Sequence, residues 1–170
     1  MSGSGAPDLG SLDGSGLRVA VVASTWHRIT MEGLLAGAIR ALARATIVTP
    51  TLARVPGAFE LPLMAAALAP SHDAIVALGL VIRGGTPHFD YVCRAATDGL
   101  ARVQLDHGIP IGFGLLTCDD IDQARARAGL PDSQENKGGE AASAAVAMAL
   151  ALRALGPASR TSGFGSSTAS

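Results

Sequence analysis

The chain has 170 residues, which is enough for one domain with a sizeable core. Hydrophobic residues make up 48% and charged residues only 16%, so either the interior is large or part of the surface is buried against further copies of the chain. The net charge is −1 and there is no basic run, which excludes nucleic acid and anionic membranes as expected partners.

The N-terminal sequence MSGSGAPDLG lacks the basic and apolar regions of a secretory signal. The most apolar stretch, residues 141–152, is shorter than the roughly 20 residues that a membrane-spanning helix needs. Cys93 and Cys118 form no C-x-x-C pair, and buried thiols in a reducing compartment are favoured over the alternative of a disulfide. The histidines show no metal-ligand spacing. We therefore expect a cytoplasmic protein with no membrane segment and no metal.

Segments typical of strands and of helices alternate between two polar ends. We predict a flexible tail at residues 1–16, one α/β domain at 17–155 and a disordered tail at 156–170. In chain order the predicted elements are strand 17–24, helix 29–45, strand 49–55, helix 59–69, strand 74–82, helix 87–106, strand 109–117, and helices 121–128 and 137–155. This alternation predicts an α/β three-layer sandwich, flavodoxin-like, with a central four-stranded parallel sheet and helices on both faces.

The connections that follow the strands are the places to search for a site, because ligands of open α/β sheets bind beyond the carboxyl ends of the strands. Trp26, the only tryptophan, follows the first strand. It is either partly buried packing or a flat platform for an aromatic ring. Glu60 follows the second strand and is either a favourable charge in the first turn of a helix or a group that binds ligand hydroxyls.

The connection Arg83-Gly84-Gly85-Thr86-Pro87-His88 is the most informative one. In its simplest interpretation it is a strand-to-helix turn, in which Thr86 caps the helix and Pro87 takes the first helical position. That interpretation leaves Arg83 and His88 unexplained. The alternative is a functional site, because amide groups at a helix N-terminus and the Thr86 hydroxyl form a cradle for phosphate, and a histidine beside it is a candidate for proton transfer.

The remaining motifs are weaker. Lys137-Gly138-Gly139 precedes a long helix and is compatible with an anion site, but one lysine and two glycines do not make a P-loop. No dinucleotide-binding fingerprint follows the first strand and no nucleophile elbow is present. Arg125 and Arg127 are helical cations of the kind that is most often solvated.

Taken together, six segments resemble a known enzyme family. These segments occur in the order and approximate spacing that is typical of the 6,7-dimethyl-8-ribityllumazine synthase family. They are STWH, VPGAFELP, DAIVALGLVIRGGTPHFDYV, IGFGLLT, DQARARAG and NKGGEAA. The resemblance covers residues 17–155, and VIRGGTPHFDYV is its most specific block. It implies a transferase of riboflavin biosynthesis that condenses 5-amino-6-ribitylaminouracil with 3,4-dihydroxy-2-butanone 4-phosphate. Phosphate and water are released, and no cofactor or metal is used.

The resemblance also implies a role for each matching residue. His88 would transfer protons, and Trp26 would stack on the pyrimidine. The pyrimidine and its ribityl chain would further be held by Ala58, Phe59, Glu60, Leu80, Val81, Ile82 and Phe113. The butanone phosphate would be bound by Gly85, Thr86 and Arg127, with Lys137 as an assisting residue. Gly85 stands where many relatives carry a larger side chain, so only its N–H group is available for the phosphate.

The resemblance further implies a homo-oligomer whose active site is shared between adjacent subunits of a ring, with Phe113 coming from the neighbour. The link Leu130-Pro131-Asp132-Ser133 is longer than in shell-forming members, which favours a pentamer over a sixty-subunit shell. Riboflavin synthase is a further expected partner. Two alternatives stay open, a non-catalytic ligand carrier on the same fold and a structural assembly protein. The carrier would need no proton shuttle, and the assembly protein would need no intact pocket.

Overall fold

The computed structural model describes residues 9–156, and the outer parts of both predicted tails, residues 1–8 and 157–170, lie outside that range. Its centre is one parallel sheet of four strands in the order β2-β1-β3-β4. The strands are β1 (Val19–Ser24), β2 (Thr51–Val55), β3 (Ala74–Ile82) and β4 (Ile111–Cys118). The predicted fold class is therefore confirmed.

Burial separates the central strands from the edge strands. All six residues of β1 and the first seven of β3 are buried, because helices cover both faces of these two strands. β2 and β4 lie at the edges and are less uniformly buried: in β2 only Val55 is buried, and in β4 Phe113 and Thr117 are exposed. The continuous apolar run AIVALGLVI predicted β3 at its observed boundaries, since such a run is typical of a strand that is buried on both sides.

Within residues 9–156, five α-helices form the outer layers. They are α1 (Arg28–Arg44), α2 (Leu61–Leu68), α3 (His88–His107), α4 (Ile121–Arg125) and α5 (Lys137–Ala154). α1 and α5 pack on one face of the sheet through one core cluster, and α2 and α3 pack on the other face through a second. Single 3₁₀ turns at Ala58–Glu60 and Ala69–Ser71 flank α2, so the predicted helix 59–69 is only partly α-helical.

Glycine allows α5 to lie very close to α1. A Cβ atom added to Gly138 would overlap the backbone carbonyl of Leu34. The first turn of α5 therefore contacts the middle of α1 backbone to backbone, with no room for a methyl group. Helix packing thus explains Gly138 of the Lys137-Gly138-Gly139 motif without any need for a bound anion.

The inner part of the predicted N-terminal tail contacts the domain. The Gly14 N–H group donates a hydrogen bond of 2.9 Å to the carbonyl of Ala45, at the end of α1. The Thr46 hydroxyl donates to Asp13 at 2.8 Å, and Leu12 packs against the core cluster beneath α1 and α5. These contacts attach residues 12–14 to the amino-terminal edge of the sheet.

The strand order determines where a ligand can enter. The chain leaves β1 for β2 on one side and then crosses to β3 on the other side of β1. At such a switch point the connections that follow β1 and β3 diverge and leave a crevice at the carboxyl ends of the strands.

Candidate functional site

A cavity of about 800 Å³ occupies this crevice. It is walled by the connections that follow β1 and β2, by the end of β3 and by the first two turns of α3. The structure brings together here the following residues that the sequence predicted for the site: Trp26, Ala58, Phe59, Glu60, Leu80, Val81, Ile82 and His88. Its volume lies within the range of about 300–1,000 Å³ that is usual for small-molecule sites.

Trp26 forms one wall and is 66% exposed. The Thr25 hydroxyl donates a hydrogen bond of 2.9 Å to the carbonyl of Pro56, which ties the end of β1 to the segment after β2. The indole lies beside Gly57, since a Cβ added there would be 3.9 Å from two indole atoms. An exposed aromatic ring held at the mouth of a cavity is suited to stacking against a planar ligand.

Glu60 shapes the segment after β2. Its Oε2 atom accepts a hydrogen bond of 2.8 Å from the Gly57 N–H group, which fixes the turn that presents Ala58 and Phe59. Ala58 is buried, whereas the Phe59 ring is 61% exposed. Oε1 of Glu60 makes no hydrogen bond within residues 9–156 and is available to a ligand hydroxyl. Both sequence interpretations of Glu60, the structural and the ligand-binding one, are therefore compatible with its position.

The end of β3 forms the floor. Leu80 is only 4% exposed and its side chain belongs to the core cluster under α1 and α5. Val81 packs on the opposite face of the sheet, against α2 and α3. Because these side chains are engaged in the core, the polar groups that β3 offers at its end are those of its backbone.

The connection Arg83–His88 lies at the mouth of the cavity. Helix α3 begins at His88 with Pro87 as its N-cap, so the prediction that Thr86 caps the helix is wrong. Thr86 is exposed, and neither its hydroxyl nor its N–H group has a partner within the described residues. A Cβ at Gly84 or Gly85 would meet nothing within 4 Å. The connection is therefore open to a ligand from the solvent side.

Arg83, which the sequence left unexplained, is held by several groups. Its Nε atom donates to Asp119 Oδ1 at 2.9 Å, and its guanidinium carbon lies 4.2 Å from the centre of the Phe89 ring. One of its terminal nitrogens is 3.4 Å from Asp90 Oδ1. The hydrogen bond from Arg83 is the main cause that holds the pKa of Asp119 below its ordinary value of 3.8, so this pair stays ionised near neutral pH.

Arg127 and Lys137 do not line the cavity of their own chain. The Arg127 guanidinium donates to the carbonyl of Gln123 at 2.9 Å, and its Nε atom is 3.9 Å from Glu135. The Lys137 ammonium is 13% exposed and contacts the carboxylates of Glu135 and Glu140. Both cations are thus held on the segment between β4 and α5.

The charge of Lys137 is stable near neutral pH. Burial lowers the pKa of Lys137, but hydrogen bonds to Glu135 and Glu140 outweigh burial and raise the pKa above its ordinary value of 10.5. The stabilisation by these ion pairs is therefore present at lower pH and is lost only as the pH rises through this raised pKa. A lysine in this state provides a fixed positive charge and is no proton acceptor near neutral pH.

Phe113 also lies away from the cavity. It pairs with Ala77 in the middle of β4, an edge strand, and its side chain is 48% exposed. Other large apolar side chains are exposed on the neighbouring helices, among them Leu63, Tyr91 and Leu105. Large apolar side chains exposed on adjacent elements are often found at protein–protein contacts.

Some lining residues were missed by the sequence analysis. Tyr91, Val92 and Ala95 line the cavity from α3. They lie three, four and seven positions after His88, which is the spacing of one helical face. Since His88 was already a candidate at the start of a predicted helix, this spacing was the signal that could have identified them.

A second cavity of about 590 Å³ lies at the opposite, amino-terminal edge of the sheet. Arg18 and Asp73 are among its lining residues and neutralise each other at 3.0 Å. Between residues 9 and 156, no three His, Cys, Asp or Glu side chains come together in a way that would hold a metal ion. None of the helices in the same range is long and apolar enough to cross a membrane.

Comparison with known proteins identifies the family. Residues 16–153 match the family model of 6,7-dimethyl-8-ribityllumazine synthase. The protein of that name from Kineococcus radiotolerans is 61% identical over 158 residues, which cover 92% of this chain and 98% of that protein. The one from Nocardioides sp. is 60% identical over 92% of this chain and 98% of its own length. The one from Streptomyces coelicolor is 58% identical over 91% of this chain and 97% of its own length.

The matched region contains all five helices except the last residue of α5, all four strands, and every residue of the candidate site. Identity near 60% over almost the whole of each protein places the resemblance well beyond a shared fold. The chain belongs to the 6,7-dimethyl-8-ribityllumazine synthase family, a family of transferases in riboflavin biosynthesis.

Proposed function

We propose that this chain is a lumazine synthase. It condenses 5-amino-6-ribitylaminouracil with 3,4-dihydroxy-2-butanone 4-phosphate and releases phosphate and water, and riboflavin synthase takes on the lumazine product. The observation that carries the proposal is the cavity at the carboxyl ends of the strands, which is lined by an exposed Trp26, by Glu60 with a free Oε1 atom and by an exposed His88. Family membership supplies the reaction.

The cavity is suited to hold the pyrimidine. Trp26 stacks on the planar ring, and the backbone at the end of β3 binds the polar edge of the ring. The segment Ala58–Glu60 holds the ribityl chain, with the free Oε1 atom of Glu60 as an acceptor for its hydroxyls. Phe59 covers the chain from the solvent side. Once both reactants are held in this way, proximity and orientation provide most of the acceleration of the condensation.

The phosphate of the second substrate binds at the open connection after β3. The unpartnered N–H groups of Gly85 and Thr86 and the Thr86 hydroxyl point to an anion that arrives from solvent. The N-terminus of α3 adds a partial positive charge. Arg127 supplies a full charge from the neighbouring subunit, and Lys137 assists through its fixed charge.

His88 transfers protons during the condensation. The amine of the pyrimidine attacks the ketone and water is lost, which gives a Schiff base. A proton is then removed from carbon while phosphate leaves, and tautomerisation and ring closure with loss of a second water follow. A histidine beside the phosphate cradle is placed to take and return these protons. One modest acid–base group is enough where proximity provides most of the acceleration.

The assembly that completes the site is a ring of five copies of the 17.1-kDa chain. Phe113 on the edge of the sheet and Arg127 both lie outside their own chain's cavity, which supports their use by an adjacent subunit. The apolar side chains exposed on α2 and α3 support a contact between copies. We infer a cytoplasmic location from the free thiols of Cys93 and Cys118.

The reaction is tested by supplying both substrates to the purified protein and following the absorbance and fluorescence of the lumazine. We expect product at a rate far above that of the uncatalysed condensation. A rate equal to that of the mixture without protein would contradict the proposed function.

The shared site is tested by co-expressing a His88→Ala chain with an Arg127→Ala chain. Each variant alone is expected to be impaired at every site. In mixed rings about a quarter of the sites would combine an intact His88 with an intact Arg127 of the neighbour, so activity should return. If both residues served the site of their own chain, every site in a mixed ring would lack one of them. Activity no higher than that of the single variants would therefore contradict the shared site.

A further inference from the structure

Arg83 contacts three side chains from two different segments, yet it does not line the cavity. Its guanidinium contacts Asp119, which follows β4, and Asp90, which lies in the first turn of α3. It also lies on the face of Phe89, whose ring is buried. The Arg83 N–H group donates to the carbonyl of Cys118 at 2.9 Å. One residue thus connects the ends of two strands with the start of a helix.

The residues between these contacts have little support of their own. Gly84 and Gly85 have open space where a side chain would lie, and Thr86 makes no hydrogen bond within the described residues. The position of Gly84–Thr86 is therefore set by its two ends. Arg83 fixes the first end directly, and it fixes the second through Phe89 and Asp90.

The Asp119 end of this network leads toward Arg127. The Asp119 N–H group donates to Gln123 Oε1 at 3.1 Å, and the carbonyl of Gln123 accepts a hydrogen bond of 2.9 Å from Arg127. The Arg83–Asp119 pair thus joins the phosphate cradle of one site to the segment that holds Arg127, the cation proposed for the site of the adjacent subunit.

The positive charge of Arg83 is neutralised within its own cluster. Two carboxylates, Asp119 and Asp90, face the guanidinium, so this cluster has no net positive charge to offer to a phosphate. We propose that Arg83 is a positioning residue, which holds the Gly84–Thr86 cradle in the geometry that binds the phosphate of the substrate. The proposal rests on the function proposed above and adds to it a residue that acts through its neighbours.

Asp119→Asn distinguishes positioning from direct binding. The substitution leaves the Arg83 cation in place and removes the carboxylate that holds it. If Arg83 positions the cradle, both Arg83→Ala and Asp119→Asn raise KM for the butanone phosphate by about tenfold or more, because small misplacements of bound groups are costly. KM for the pyrimidine is expected to stay within about twofold, because its cavity does not include Arg83. Arg83→Lys should not restore the wild-type KM for the butanone phosphate. A lysine ammonium lacks the planar, multi-donor guanidinium with which Arg83 bridges Asp90 and Asp119.

Arg18→Ala is the matched control. Arg18 forms an exposed ion pair with Asp73 at the opposite edge of the sheet. Its loss therefore shows the effect of removing an arginine–aspartate pair that lies far from the phosphate cradle. Neither KM is expected to change. Melting temperature and oligomeric mass of each variant show that it is folded, and exposed pairs of this kind contribute little stability.

The proposal is overturned if Asp119→Asn leaves KM for the butanone phosphate unchanged or lowers it while Arg83→Ala raises it, because Arg83 would then bind phosphate directly. It is also overturned if Arg83→Lys behaves like the wild type. These outcomes differ from a failure of the proposed function, in which the wild-type protein itself would form no lumazine.

Discussion

Replacing His88 by alanine is expected to lower kcat on the order of 10²-fold, at the low end of the effect of a general acid–base group, while the affinity for the pyrimidine stays nearly unchanged. The imidazole lies at the first residue of α3, between the phosphate cradle and the cavity. Its loss removes proton transfer, but it leaves Trp26, the Ala58–Glu60 segment and the β3 backbone in place. Proximity of the two substrates still accelerates the reaction.

Fluorescence provides the binding measurement for this variant. Trp26 is the only tryptophan of the chain and lines the cavity, so its emission reports directly on a bound pyrimidine. The matched control is His107→Ala, because His107 ends the same helix that His88 begins. We expect the control to keep the wild-type kcat. A His88→Ala variant with the kcat of the wild type would remove His88 from the proposed chemistry.

Replacing Gly138 by alanine is expected to lower the free energy of unfolding by about 3 kcal/mol, at the upper end of the usual cost of overpacking. The added methyl group would overlap the carbonyl of Leu34, which is backbone in the middle of α1 and has no alternative rotamer. The helices must therefore move apart, and the buried alanines of α5 would lose contact with the core.

Thermal unfolding at a fixed protein concentration measures this effect. For a chain of this size the expected loss corresponds to a decrease in Tm of roughly 6 to 12 °C. Gly85→Ala is the matched control, because a Cβ at Gly85 would meet nothing within 4 Å, and we expect its Tm to change little. Equal melting temperatures for the two variants would show that α1 and α5 are not in the close contact described here.

The sequence predicted the layers of the fold well because their pattern is local. The uninterrupted apolar run of β3 and the helical spacing in α1 define those elements without reference to the rest of the chain. Boundaries that depend on capping were predicted less well. Strand β4 begins at Ile111, two residues later than predicted, because the Ile109 N–H group still bonds to Gln104 of α3 and Pro110 has no N–H group to donate.

The candidate site was predictable in part for a similar reason. The switch-point rule places the ends of β1, β2 and β3 together, and eight of the residues predicted there line one cavity, whereas Gly85 and Thr86 lie in the connection after β3 and do not line it. The partners of Arg83 could not be predicted in this way, since Asp119 is 36 residues further along the chain. The positions of Arg127 and Lys137 depend on how the segment after β4 folds, through contacts with Gln123 and Glu135 that leave no local pattern in the sequence.

The most direct test of the proposed function follows lumazine formation and phosphate release in the same reaction. The wild-type protein with both substrates should form one lumazine for each phosphate released, at a rate far above that of the mixture without protein. Adding the butanone phosphate without the pyrimidine should release little phosphate, because elimination follows Schiff base formation in the proposed course. Equal rates with and without protein, or phosphate release that does not require the pyrimidine, would contradict the account.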